Sequence, residues 1–176
     1  MASSIFPNKL FDPIRKCWVK ETPEEVVRQL LLQKMVRDLH YPLLMIGVEK
    51  ELAKLPHLQL QGNIPKRRAD ILVFAKHIHA EYPIFPLVLI ECKAVKLTPR
   101  IAAQVVGYNA VVQAPFLVLA NREEILTGHF DETAGHFRFE PGLKSYSTLL
   151  DLLYTHSTSR LGLRLCQSPN LEVEWL

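Results

Sequence analysis

Ala69-Asp70-Ile71-Leu72-Val73-Phe74 and Leu87-Val88-Leu89-Ile90-Glu91-Cys92-Lys93 decide how this chain folds. Each is a near-continuous apolar run with an acid at one end. Runs of this length between turn residues read as strands buried on both faces. Asp70 opens the first strand, and Glu91 and Lys93 close the second. A carboxylate on a buried strand is costly unless it is paired or holds a metal. Glu91 and Lys93 are two positions apart, so on a strand they share a face, and Cys92 turns the other way into packing. If the two strands are neighbours, Asp70 and Glu91 converge on one divalent ion with Lys93 beside it.

The flanking sequence supplies the rest of an α/β pattern. Thr22-Pro23-Glu24-Glu25 is a helix start: Thr22 caps, Pro23 fits the first turn, and Glu25 completes a capping box. Val26, Val27, Leu30, Leu31, Met35 and Leu39 then follow helical spacing, and the helix stops before Pro42. Ile46, Val48 and Leu52 alternate with Gly47, Glu49 and Glu51 as in a strand, with a short helix near Glu51 as the alternative. Ile14 to Val19 reads as a short strand and residues 1–13 as irregular. The prolines between His77 and Pro86 indicate a loop. Thr98-Pro99 repeats the cap-then-proline start, and Ile101, Val105, Tyr108 and Val112 form an apolar stripe. Phe116 to Leu119 is a further buried strand. Residues 121–142 suit a hairpin, and Ser147 caps a helix through Tyr154. The expected class is α/β, with a central mixed sheet flanked by helices.

Two carboxylates suit a hard cation such as Mg²⁺, with Mn²⁺ the alternative. Such an ion polarises a phosphate and acidifies a bound water, and a lysine nearby orients or activates that water and stabilises the charge that builds on the phosphate. Glu49 offers a third carboxylate or a ligand for a second metal. Lys66, Arg67 and Arg68 directly precede Asp70 and suit DNA phosphates. Gln104 and Tyr108, four apart on a helix, share one face. The plainer readings are an ion pair at a strand end for Asp70 and Lys93, a solvated residue for Glu49, a solvated loop for the basic run, and helix packing for Gln104 and Tyr108. His77 and His79 lie in a loop without a third ligand, so a metal role there is not expected.

The joint pattern resembles the PD-(D/E)xK nuclease superfamily. It is similar, more closely, to the N-terminal nuclease domain of type I restriction enzyme R (HsdR) subunits. The residues that carry the likeness are Arg67-Arg68-Ala69-Asp70-Ile71-Leu72-Val73, Leu89-Ile90-Glu91-Cys92-Lys93-Ala94 and Gln104-x-x-x-Tyr108-Asn109, with Thr22 to Gln29 and Glu49 in support. Ala69 stands where the superfamily name has proline. The resemblance implies a restriction-endonuclease-like core in which Asp70, Glu91 and Lys93 are the catalytic set and Asp70 and Glu91 the metal ligands. Gln104 and Tyr108 match the helix motif, and Glu49 the upstream acid. No G-x-x-x-x-G-K-[ST] occurs, so the expectation is a standalone nuclease-like domain without ATP-driven translocation. Such a domain would be served by a separate motor or specificity subunit, or would act as a homodimer. The other class to weigh is a catalytically inactive nuclease fold that binds DNA or protein.

Composition fits one domain over residues 1–176, with a core over about 14–120 and a C-terminal addition over about 121–176. Of 176 residues 48% are hydrophobic and 22% charged, which excludes disorder and fibrous repeats. Cys17, Cys92 and Cys166 are odd in number and widely spaced. That argues against a disulfide framework and for a cytoplasmic location. The apolar stretch from Ile101 to Ala120 is broken by Gln104, Asn109, Gln113 and Pro115, so it reads as helix plus strand, not as a membrane span. A net charge of +3 decides nothing, because placement matters more than the sum.

Overall fold

The computed structural model describes residues 8–59, 64, 66–157 and 173–174. Two short strands, β1 (Lys9–Asp12) and β2 (Cys17–Lys20), form an antiparallel hairpin of their own. Helix α1 (Pro23–Arg37) follows, then β3 (Ile46–Glu51), β4 (Arg68–Lys76), β5 (Ile84–Cys92), helix α2 (Pro99–Val112), β6 (Phe116–Ala120), β7 (Ile125–Asp131), β8 (His136–Pro141), helix α3 (Tyr146–Ser157) and the two-residue β9 (Val173–Glu174). Strands β3 to β9 make one mixed sheet in sequence order. Neighbours are antiparallel except for the parallel pairs β5–β6 and β8–β9. The β5–α2–β6 crossover is the unit that a parallel pair requires.

Each face of the sheet has its own core. Val27, Leu31, Leu32 and Met35 of α1 and Leu149 of α3 pack on Ile71, Val73, Val88, Ile90 and Cys92. Ala102, Val105, Val106 and Val112 of α2 pack on Leu72, Leu89, Leu117 and Leu119. The two apolar runs are therefore central strands covered on both sides, as their composition requires. The β7–β8 hairpin pairs directly onto β6 and continues the sheet without a break. Among the described residues, no helix is long and apolar enough to cross a membrane.

Several local expectations are corrected. The expected Ile14 to Val19 strand is the turn and second strand of a hairpin that begins at Lys9, inside the segment read as irregular. Strand β5 starts at Ile84 and runs through Pro86. A register shift between Val73 and Phe74 lets Pro86 lie opposite Phe74, and bulges are where a sheet tolerates a proline. Thr22 does accept from the Glu25 amide at 3.1 Å, but no bond returns from Glu25 to Thr22, because its carboxylate is taken by Arg15, Arg28 and Gln29. Leu30, placed in the apolar stripe, is 55% exposed, whereas Arg28 and Gln29 are buried. The cap of α3 comes from Ser145, whose hydroxyl accepts from the Thr148 amide at 3.2 Å. The third cysteine, Cys166, lies outside the described residues.

Asp12 ties the hairpin to α1. Its side chain is fully buried. It accepts from the Ile14 and Arg15 amides at 2.8 Å each, from Arg15 Nε at 2.6 Å and from Gln29 Nε2 at 3.0 Å. Burial acts to raise its pKa, but these donors and the Arg15 charge outweigh it and hold the carboxyl below its ordinary value of 3.8. A lowered folded-state pKa contributes stability above the unfolded value and loses it as pH falls through the folded one. Asp12→Ala is thus expected to cost about 2–3 kcal/mol at neutral pH. In urea melts the gap from wild type should narrow once the pH drops below 3.8. A pH-independent gap would refute this account.

Candidate active site

The acids meet where strands β4 and β5 part. Their ladder reaches Ile71 opposite Ile90, and the same register puts Asp70 across from Glu91. There the backbone pairing gives way to a side chain: the Cys92 amide donates to Asp70 Oδ2 at 2.7 Å. On the other flank, Val48 faces Ile71 and Lys50 faces Ala69, so Glu49 sits across from Asp70. Glu49 has φ of 51°, a left-handed conformation inside a strand. Non-glycine residues hold such a conformation at a cost of about 1–2 kcal/mol, and retained strain of this kind clusters at functional sites. Three carboxylates, Glu49, Asp70 and Glu91, therefore lie in a row across three adjacent strands.

Two cations balance them. Lys93 Nζ lies 2.7 Å from Glu91 Oε1, and the Lys93 amide donates to the Ala120 carbonyl at 2.8 Å, which fixes the end of β5 against β6. Arg28, reaching in from α1, touches Glu49 at 2.7 Å, Asp70 at 2.5 Å and Glu25 at 2.5 Å. Its side chain is only 7% exposed, and its Nε has no hydrogen-bond partner among the described residues. Burial opposes the charge on Arg28, but Asp70, Glu25 and Glu49 outweigh it and raise its pKa above the ordinary value.

The remaining expected residues divide by position. Burial raises the pKa of Glu91, and the Asp70 charge adds to this against the opposing bond from Lys93. Burial acts to lower the pKa of Lys93, but Glu91 outweighs it and holds the ammonium above its usual range. Tyr108, half-buried on α2, donates to the Arg68 carbonyl at 3.4 Å, and the Arg67 guanidinium lies 4.9 Å from its ring centre. Gln104, one turn earlier, is exposed. Lys66, Arg67 and Arg68 are all exposed, and Arg68 pairs with Glu51 at 3.4 Å. Cys92 is buried, and burial pushes its thiol pKa well up, which leaves it inert. His79 stacks on Phe85 at 4.4 Å, in a cluster of rings separate from the acid row.

A family model described as the type I restriction enzyme R protein N terminus matches residues 23–143. The chain belongs to that family. The match spans well over half of the protein and contains Arg28, Glu49, Asp70, Glu91, Lys93, Gln104 and Tyr108. No curated protein and no solved structure matches the chain. For a member of the type I R N-terminal family, the residue that sequence reasoning misses is Arg28. It stands inside the Thr22 to Gln29 segment, where helical spacing assigns it no role. The one signal is the spacing of Glu25, Arg28 and Gln29, which puts three polar groups on one helix face. Their burial comes from strands far away in sequence, which helical spacing does not show.

The donor chemistry is compatible with Mg²⁺. Among the described residues, no group of three His, Cys, Asp or Glu side chains is gathered as a ready metal cage. Mg²⁺ does not need one, because it keeps several waters and is commonly held by one or two carboxylates. Asp70 and Glu91 are the pair that would hold it.

Proposed function

We propose that this type I R N-terminal domain is a metal-dependent DNA endonuclease that hydrolyses phosphodiester bonds. The observation that carries the reading is the row of Glu49, Asp70 and Glu91 at the strand fork, with Lys93 bonded to its end. Mg²⁺ or Mn²⁺ held by Asp70 and Glu91 would polarise the scissile phosphate and acidify a water. Lys93 stands beside the pair, its Nζ bonded to Glu91 Oε1 at 2.7 Å. Its role is to assist the attacking water and to stabilise the charge that develops on the phosphate. Glu49 adds negative charge on the far side of Asp70. Tyr108 braces the Arg67–Arg68 backbone, and Gln104 lies a turn away on the same helix. Lys66, Arg67 and Arg68 supply phosphate contacts. A separate motor or specificity subunit, or a second copy of the chain, would direct the cut.

A second reading has one observation in its favour. The Arg28 guanidinium already neutralises Asp70 and Glu49, as it would in a nuclease fold kept only for binding DNA or protein. Nicking of supercoiled plasmid separates the two. The wild type should nick with Mg²⁺ or Mn²⁺ and stop in a chelator, and folded Glu91→Ala should not nick at all. Cleavage retained by Glu91→Ala would overturn the site. No cleavage by wild type, with no divalent-ion binding in calorimetry, would establish the binding-only reading.

A further inference from the structure

The row of Glu49, Asp70 and Glu91 has two gaps, and they are filled differently. Between Glu49 and Asp70 stands a single nitrogen: Arg28 Nη2 lies 2.7 Å from Glu49 Oε1 and 2.5 Å from Asp70 Oδ1. One cationic atom thus bridges two carboxylates, as a metal ion would. Between Asp70 and Glu91, no side chain of the described residues forms such a bridge. Asp70 Oδ2 meets the Cys92 amide, and Glu91 Oε1 meets Lys93 Nζ, each at 2.7 Å. The guanidinium is also clamped from behind. Its Nη1 meets Glu25 Oε2 at 2.5 Å, and Glu25 Oε1 is itself held by Arg15 at 2.9 Å and by Gln29 at 2.8 Å. The Arg28 side chain is 7% exposed, and its Nε goes without a hydrogen-bond partner among the described residues. A buried donor left unpaired is costly, so the group is placed to reach its three acids and not to satisfy all its N–H bonds.

Charge counting agrees with this placement. Ion pairs run from Asp12 through Arg15, Glu25 and Arg28 to Glu49 and Asp70, and the Glu91–Lys93 pair stands beside them. Together they join five carboxylates and three side-chain cations. One divalent ion brings this cluster to neutrality. A second would leave it positive and would sit against a fixed, buried guanidinium, where low dielectric lets like charges repel strongly. We infer that Arg28 takes the place of a second metal ion, so that the domain binds one divalent cation, between Asp70 and Glu91, and Glu49 is the partner of Arg28 and not a metal ligand. The inference deepens the nuclease reading and rests on it for the metal itself. Two-metal sites clamp the attacking and leaving oxygens with ions about 3.5–4 Å apart. Here the second position carries a fixed side-chain charge instead. The guanidinium that neutralises Glu49 and Asp70 is then a working part of a one-metal site, not the mark of a disabled one.

The test counts the Mn²⁺ bound by the full chain in a titration without DNA, with free ion read from its electron paramagnetic resonance signal. Wild type should bind one ion per chain, and Glu91→Gln should bind none over the same concentrations. Glu49→Gln should still bind one, with an affinity within about tenfold of wild type, since only a neighbouring charge is lost. Arg28→Ala should bind two, because Glu25, Glu49 and Asp70 are freed together. A thermal melt of each sample checks the fold, and if Arg28→Ala does not fold, wild type and Glu49→Gln decide. Two ions on wild type, an ion kept by folded Glu91→Gln, an ion lost from folded Glu49→Gln, or a folded Arg28→Ala that still takes one would overturn the inference. Two ions on a wild type that nicks plasmid reject the role given to Arg28 and leave the nuclease reading standing. A folded wild type that binds no ion overturns both.

Discussion

Lys93→Ala is expected to slow plasmid cleavage by about 10²–10³-fold, the usual cost of removing one preorganised charge donor from a transition state. The effect should fall on chemistry, not on folding. Lys93 is a quarter exposed, and its ion-pair partner is the partly exposed Glu91. Pairs of this kind contribute at most about 1 kcal/mol to stability, so the melting temperature should barely move. Lys93→Arg should recover little, because a planar fork delivers its charge differently from a compact ammonium. The measurement is the initial nicking rate with saturating Mg²⁺, set beside a thermal melt of the same sample. Cleavage within a factor of a few of wild type would remove Lys93 from the chemistry. Abolished cleavage together with a collapsed melt would make it a structural residue.

The parts of this fold that can be read from the chain are those where local composition and burial coincide. The runs at Ala69 to Phe74 and Leu87 to Ile90 are apolar throughout because helices cover both faces of the sheet, so the strand ends, and the acids on them, are legible. The start of β5 is not. Pro86 signals a loop locally, and only the register shift opposite it, in β4, makes room for it in a strand. The β1–β2 hairpin escapes for another reason. Four-residue strands carry too little alternation to distinguish from loop, and what fixes them is Asp12 reaching Gln29. Helical spacing leaves α1 with two candidate faces, and Leu30 falls on the wrong one. Arg28 illustrates the limit most clearly. A charged helix residue is ordinarily solvated, and nothing within α1 indicates that Glu49 and Asp70 would close over it. The row of three acids is legible as a set of residue types. The guanidinium between them depends on tertiary structure alone.

Arg28→Ala should be the most destabilising single change in the site, at about 3–5 kcal/mol. The cost is electrostatic. One guanidinium satisfies Glu25, Glu49 and Asp70 at once, and its removal leaves three carboxylates facing one another around a cavity. Burying the pair gains little in itself, since desolvation offsets most of the attraction. Breaking it is what costs, because uncompensated charge stays behind. A domain of this size has a stability of about 5–15 kcal/mol, so the variant should remain folded but melt about 6–20 °C lower. Arg28→Lys should recover only part of this, as a single ammonium cannot span the three partners, and the strained Glu49 backbone would no longer have the ion pair that holds it. Divalent metal gives a further readout independent of catalysis. If Asp70 is a metal ligand, Mg²⁺ takes over part of the charge balance in Arg28→Ala. The variant's melting temperature should then rise with Mg²⁺ by more than the wild type's does, as binding to the folded state alone requires. An Arg28→Ala protein as stable as wild type would show that the cluster is not held together as its distances imply. A destabilised variant indifferent to Mg²⁺ would keep the structural role of Arg28 and take Asp70 out of the metal site.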